Sequence, residues 1–498
     1  VALMMLTLCS VVPLVGALVL IGGRRWTPAT IRRIATIVSA IPVALLIVAW
    51  ARFDIHSSAR FQLTESASWI PSIGAGWRVG VDGIALAIAL MSAVLFVAAI
   101  AFPADTRGRP SHYYAWFLFL EAVSLGLFLT TDLLVFYVFF DLGLVGMYFL
   151  IARFGHGDSR RAALTFFLYT LAGSLVMLLG IIALALSMHP LTFDMARIIE
   201  SQPLAAGGAK SALVMLALVV GLAVKIPLVP VHTWLPPAHV NAPASASTIL
   251  AGVMLKMGAF GMIRIPLSMM PGTFARWAPW IGIAAVVSIV YGAIVALGQT
   301  SLKARIAYTS INHMGYVMLG IAVAGVLGTA NRDGRRLALT GATVEMVAHG
   351  LITGTLFLVT GSFWRRTQDY EMDDYGGLSG PAPRLAAVAV LASFASLGLP
   401  GLAGFVAEVQ IFIGTFSVYP VLAAVGLIGL LITAALFLQF LQKVFFGELP
   451  DSRVGFADLD RREMVVLSSL TALIVIVGVD PRLLLDLIET TSRAVTGG

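Results

Sequence analysis

Apolar runs of 18 or more residues recur along the whole chain, at about 3–21, 34–51, 82–101, 113–130, 133–151, 163–187, 211–232, 245–264, 278–298, 305–326, 337–360, 385–414, 420–442 and 464–479. Each approaches or exceeds the roughly 20 residues a membrane-spanning helix needs. The pattern predicts an all-α integral membrane protein of about fourteen transmembrane helices, an even number that puts both termini on one side. The first run, LMMLTLCSVVPLVGALVLIGG, has no basic residues ahead of it and no small-residue cleavage pattern, so it reads as a retained helix. The longest polar stretches, about 52–80, 361–384 and 443–463, leave no room for a separate soluble domain. One membrane domain spans 1–498.

Two runs are interrupted alike. The seventh carries Lys225, Pro227 and Pro230, and the twelfth carries Pro400, Gly401 and Gly404 ahead of Glu408. If the fourth to eighth and ninth to thirteenth runs are five-helix repeats, the two breaks occupy equivalent places. An odd number of helices makes such copies inverted, and paired Gly/Pro breaks mark the site in inverted-repeat transporters. The expected division is three helices in 1–110, repeats in 111–264 and 277–445, and a loop with the last helix in 446–498.

Composition agrees with a membrane location: 59% of residues are hydrophobic and 11% charged, against about 25% charged in soluble domains. The net charge of +7 does not point to nucleic acid, because of where the basic residues fall. Eighteen of the 32 lie in odd-numbered connections between runs, such as RRWTPATIRR, and ten in even-numbered ones. That bias places the odd connections in the cytoplasm of a bacterial cell membrane and both termini outside. The single cysteine, Cys9, excludes an internal disulfide and a four-thiolate iron–sulfur site. No nucleotide-binding glycine motif and no histidine-based metal motif is present, so no metal and no cofactor is expected in this chain.

The chemistry lies in ionisable residues within the apolar runs. A charge at the bilayer centre costs at least about 2.5–3.5 kcal/mol, so such residues face a bundle interior and mark ion pathways. Glu121, Asp141, Lys225, Lys256 and Glu408 stand clear of the run ends. Glu121 lies 11 residues before and Asp141 nine after the turn near Asp132, which at a rise of about 1.5 Å per residue puts both about 14–16 Å deep. A buried lysine favours its neutral form until a carboxylate approaches, which suits it to carrying a proton. His313 and His349 sit inside runs, with Glu345 one turn before His349 on the same face, and His232 follows the first break. These four, together with Glu121, are candidate relay groups.

The segments FYVFFDLGLVGMYFLI, KIPLVPVHTWLPPAHVNAPASASTILAGVMLKMGAFGMIR, SLKARIAYTSINHMGYV and GLPGLAGFVAEVQIF together resemble the antiporter-like membrane subunits of respiratory complex I, NADH:quinone oxidoreductase. The resemblance spans about 113–445. Within the group it is most similar to the M-type subunit, because Glu408 stands where L- and N-type subunits carry lysine. The resemblance implies fourteen helices with inverted repeats, in which a central row of charges moves protons while redox chemistry occurs elsewhere. By position, Asp141 takes the acid of the fifth helix, Lys225 the lysine it gates, Lys256 the connecting lysine, His313 and His349 the relay, and Glu408 the terminal site. FMN, iron–sulfur clusters and quinone are then expected in partner subunits, with antiporter-like neighbours on both sides and lipid around the assembly. A cation/proton antiporter complex or a membrane hydrogenase shares the same motifs and stays open as an alternative.

Three departures from the family pattern stand out. Asp141 replaces the usual glutamate, one methylene longer, so a water between it and Lys225 is expected. Pro237 and Asn241 replace two acids in WLPPAHVNAP, and Ser301 replaces the acid of QTDLK.

Overall fold

The computed structural model of the protein describes residues 4–23, 26–328 and 331–497; Arg24 and Arg25 of the basic RRWTPATIRR segment lie outside the described residues. It opens with α1 (Met5–Gly22) and α2 (Pro28–Arg52), then a hairpin of β1 (Gln62–Ile70) and β2 (Ala75–Val81). Four long helices follow: α3 (Gly83–Ala101), α4 (Pro110–Leu129), α5 (Leu133–Phe154) and α6 (Ser159–Ala185). Short α7 (Met195–Ser201) leads to α8 (Ala209–Lys225) and α9 (Leu235–Asn241). The span Ala244–Leu267 combines α10 (Ala244–Ile249), a wide π turn at Leu250–Met254, α11 (Leu255–Met262) and a second π turn at Ile263–Leu267. Beyond it come α12 (Pro271–Leu297), α13 (Leu302–Ala324) and the 36-residue α14 (Arg332–Thr367). The chain closes with α15 (Pro383–Ser396), α16 (Ala403–Val418), α17 (Pro420–Phe445), α18 (Arg461–Val479) and α19 (Arg482–Thr496).

Among the described residues, eleven helices are long and apolar enough to cross a membrane. The other three predicted runs are the two interrupted ones, which form α8 and the α15–α16 pair, and α13, whose sequence LKARIAYTSINHMGYVML is more polar. Helix starts follow local chemistry. Asp82 and Asp132 cap α3 and α5 through side-chain oxygens, and Asp460 forms a capping box with Glu463 at α18. Prolines open α4, α12 and α17, where the missing N–H costs nothing.

Two elements depart from a purely transmembrane helical reading. Residues 62–81 of the polar stretch form an antiparallel hairpin with register irregularities, and its Glu65 accepts the backbone N–H groups of Leu6 and Thr7 at 2.8 and 3.1 Å, satisfying the start of α1. Helix α19 has too few apolar residues to register as a run; it turns Leu484, Leu487 and Ile488 inward and its charged residues outward, packing on α3 and α14. Helix α14 is the axis of the molecule. Its spanning window is wholly buried, and it packs against α3, α10, α13, α15, α16, α18 and α19.

Candidate functional site

The seventh run stops being helical at Lys225. The backbone groups freed by the break find internal partners: Trp234 Nε1 donates to the Val224 carbonyl at 2.9 Å, and the Val229 N–H donates to the Ser288 hydroxyl of α12 at 2.9 Å. Freed backbone groups are thus met by protein partners, a condition under which a membrane interior tolerates non-helical backbone, although Pro230 and Thr233 of the break are exposed. The Lys225 ammonium is buried with no hydrogen-bond partner and lies 5.1 and 5.9 Å from the ring centroids of Phe140 and Phe166. The C-terminal end of α8 and these ring faces are favourable electrostatic features around it. Asp141 follows Phe140 on α5; its charge reaches Lys225, yet Oδ1 is buried without a partner and the two do not touch.

Helix α8 rests on α11 at Gly258, where a Cβ would come within 3.1 Å of the Lys225 Cβ. Two residues earlier, Lys256 emerges just after the first π turn, and its ammonium donates to the Ala251 carbonyl in that turn at 2.6 Å. Wide turns of this kind concentrate at functional positions. The same nitrogen meets His349 Nδ1 of α14 at 2.6 Å. The His349 ring lies 5.2 Å from that of His313 on α13. His313 Nδ1 contacts Glu345 Oε1 at 2.9 Å, and its Nε2 contacts the Ser396 hydroxyl at 3.0 Å. Ser396 is the last residue of α15, so this chain of contacts runs from α11 through α13 and α14 to the second break.

At that break the backbone turns through Gly398, with φ +74°, and Gly401, with φ +91°. Glu408 of α16 reaches back to the turn: a Cβ on Gly398 would stand 2.1 Å from its Oε2. The glycine is needed for both the left-handed backbone and the carboxyl's place. Glu408 is buried, and its Oε1 has no partner.

The candidates therefore separate. Lys256, His349, His313 and Glu345 are joined by contacts. Asp141, Lys225 and Glu408 flank them without direct bonds. Glu121 is fully buried on α4 with neither carboxyl oxygen partnered, apart from the joined group. His232 packs edge-on to Tyr291, its Nδ1 unpartnered, and touches none of the others through a hydrogen bond.

Sequence reasoning missed a second polar cluster on the side of the odd connections. Lys303, in the first turn of α13, is fully buried; it donates to the Ala242 carbonyl that ends α9 and lies 3.4 Å from the Tyr370 hydroxyl. His239 is fully buried against Phe357, with neither ring nitrogen partnered. Beside them opens a cavity of about 500 Å³ lined by Asp105, Tyr113, His156, Ser245 and Tyr370 among others. His156, in the loop between α5 and α6, stacks on Trp364 with centroids 4.1 Å apart. Burial, and then the Lys303 charge, push its imidazole down to about 3. Lys303 stands beside a short connection, where a polar residue is ordinary, so no sequence signal marks it; His239, flanking WLPPA, reads from the sequence as structural or interfacial. Of the departures from the family pattern, Asn241 donates to the Pro237 carbonyl within its own turn, and its own carbonyl accepts the His156 N–H.

Residues 130–433 match the family described as "NADH:quinone oxidoreductase/Mrp antiporter, TM". The chain is 37% identical over 89% of its length to NAD(P)H-quinone oxidoreductase chain 4 1 of Nostoc sp., covering 81% of that protein. It is 36% identical over 97% of its length to NADH-quinone oxidoreductase subunit M of Mycobacterium tuberculosis, covering 92% of that protein. Among solved structures it resembles a chain of respiratory complex I from Thermus thermophilus, with a TM-score of 0.86 and 29% identity over 99% of this chain and 100% of that one. With residues carrying the family match running from the end of α4 through both breaks into α17, this chain belongs to the NADH:quinone oxidoreductase/Mrp antiporter family of transmembrane proteins.

Proposed function

We propose that this chain is a proton-translocating membrane subunit of an NADH:quinone oxidoreductase, moving protons along the buried row while FMN, iron–sulfur clusters and quinone act in partner subunits. The observation that supports the reading best is the contact series Lys256, His349, His313 and Glu345, lying between two broken helices that present Lys225 and Glu408. The halves 111–264 and 277–445 act as inverted five-helix units, with the three N-terminal helices and residues 446–498 outside them. Protonation change near Asp141 alters the charge preference of Lys225. Its proton passes to Lys256, then through the histidines toward Glu408, and leaves on the outer side of a bacterial cell membrane. His232 and Glu121 serve as accessory relay groups. Antiporter-like neighbours pack on either side, and both termini face outward, since basic residues favour the odd connections.

The test is Lys225→Met and Lys256→Met, each in the assembled complex reconstituted in liposomes. Protons pumped per NADH oxidised should fall in both with the assembly intact; an unchanged ratio refutes the assignment. The cation/proton antiporter reading is separated by purification in mild detergent, where flavin and iron–sulfur partners support the oxidoreductase and their absence the antiporter. A nickel-bearing partner would instead indicate a hydrogenase.

A further inference from the structure

Some basic residues in the odd connections are paired with acids on the spot. Arg366 binds Glu463 through two contacts of 2.9 and 2.6 Å, Arg365 reaches Asp460 at 3.0 Å, Arg453 reaches Asp369 at 3.2 Å, and Lys443 pairs with Asp373. Four unpaired arginines on the same side are gathered in one place. Arg107 and Arg109, before α4, and Arg153 and Arg160, at the α5–α6 corner, line one cleft of about 710 Å³, and no ion pair reaches any of them among the described residues. Asp105 and Asp158 are close in sequence, but neither lines the cleft.

The floor of the cleft is aromatic. Phe149 stacks on Trp116 with centroids 4.6 Å apart, Tyr148 stands beside it, and the Arg153 guanidinium lies 5.2 Å over the Phe149 ring. Ring faces at this level suit the boundary between headgroups and acyl chains. Below the cleft, α6 turns Leu164, Leu168, Leu175 and Leu179 outward, between 49% and 66% exposed. Leu164 also lines the cleft itself, so the basic mouth runs directly into an apolar track along the spanning helix.

We infer that this cleft binds the headgroup of an anionic phospholipid, with its phosphate between Arg107, Arg109, Arg153 and Arg160 and an acyl chain lying along the leucines of α6. Guanidinium pairs bind phosphate oxygens in a forked geometry that carboxylates elsewhere on this face already occupy. A free phosphate would use the arginines but gain nothing from the apolar track, which is why a lipid is the better match. Basic clefts between helices on the cytoplasmic side recognise such headgroups.

The test uses the full chain in its purified complex, placed in nanodiscs of phosphatidylglycerol mixed with phosphatidylcholine. Native mass spectrometry reads retained lipid, and a phosphatidylglycerol analogue with a photoreactive acyl chain maps its position. Expected are preferential retention of phosphatidylglycerol, labelling of the peptide containing Leu164 and Leu168, and a drop in preference of about fivefold for Arg160→Gln alone and about twentyfold for Arg153→Gln with Arg160→Gln. Should the paired variant not assemble, the exposed Arg160→Gln alone decides. Equal retention of the two lipids, an unchanged preference in Arg160→Gln, full displacement by millimolar inorganic phosphate, or cross-linking of the cleft to an acidic segment of a partner subunit would each overturn the proposal.

Discussion

Replacing Gly398 by alanine tests whether the position of the Glu408 carboxyl, rather than its mere presence, sets the performance of the second break. Two costs follow from the structure. The backbone at φ +74° lies in the left-handed region, where a Cβ costs about 1–2 kcal/mol. The new methyl carbon would also stand 2.1 Å from Glu408 Oε2, so the carboxyl must retreat by about 1.3 Å to reach an ordinary contact of 3.4 Å. A misplacement of about 1 Å in a reacting group costs up to about a hundredfold in rate. Gly401→Ala isolates the first cost: its φ of +91° imposes the same backbone strain, yet nothing lies within 4 Å of the added carbon. Both variants should assemble with similar losses of thermal stability. In proteoliposomes, the initial rate of proton accumulation at matched NADH oxidation should fall steeply in Gly398→Ala and stay near wild type in Gly401→Ala. If the two variants pump alike, displacement of Glu408 is without consequence, and this carboxyl is not part of the path.

Trp234→Phe removes the indole N–H that binds the Val224 carbonyl at the first break; it should destabilise the chain by about 0.5–1.5 kcal/mol, read as a lower unfolding midpoint in detergent. Asp82→Asn breaks a buried pair in which Arg264 lies 2.5 Å from Asp82, both side chains 5% exposed. Stranding that guanidinium costs about 3–5 kcal/mol, so little assembled complex should be recovered, whereas normal yield would show the pair to be dispensable. His156 is pushed down to about 3 by burial and the Lys303 charge, below the roughly 6.5 of an unfolded histidine. The folded chain then binds fewer protons there, so stability is lost as pH falls below about 6.5 toward 3 and is unaffected above it. His156→Gln should shrink the drop in unfolding midpoint between pH 7.5 and pH 5, and an equal drop in the variant would place the acid sensitivity elsewhere.

The spanning helices were legible because a continuous apolar run of about 20 residues suits little besides a lipid interior. The breaks at Lys225 and Glu408 were legible for a related reason: proline and glycine beside an ionisable residue conflict with a plain spanning helix, and the structure ends α8 at Lys225 and interrupts 383–418 before Glu408. Contacts among candidates were less accessible. The spacing of Glu345 and His349 puts them on one face of α14, but only tertiary packing brings His313 of α13 and Lys256 of α11 to that face. Helix α19 and the hairpin escaped a search for continuous apolarity, since one buries a narrow stripe and the other is anchored by polar bonds such as Glu65 to the start of α1. Lys303 was hidden because a lysine near a helix start is ordinary on a cytoplasmic surface; its burial depends on Tyr370, 67 residues later.

Two arrangements of buried charge in this molecule contrast, and the contrast bears on the proposed proton path. Arg264 with Asp82, and Arg366 with Glu463, are closed pairs with short contacts, and a closed pair has no reason to exchange a proton because any transfer leaves an uncompensated ion. The proposed row differs: Lys256 and His313 are bonded, but other atoms in it are open. Lys225 Nζ, Asp141 Oδ1, Glu345 Oε2, His349 Nε2 and Glu408 Oε1 are all buried polar atoms without a protein partner. Leaving each dry costs about 1–3 kcal/mol, a penalty that selects either for apolar replacement or for water reaching these atoms in part of the cycle. Apolar replacement was evidently available, since leucine, valine and phenylalanine fill the same helices. Under the proposed function, intermittent hydration of these open atoms would supply both the missing partners and a proton path. On that reading the closed pairs would serve as the rigid frame on the two faces, and the open atoms between them would be the part whose bonding changes.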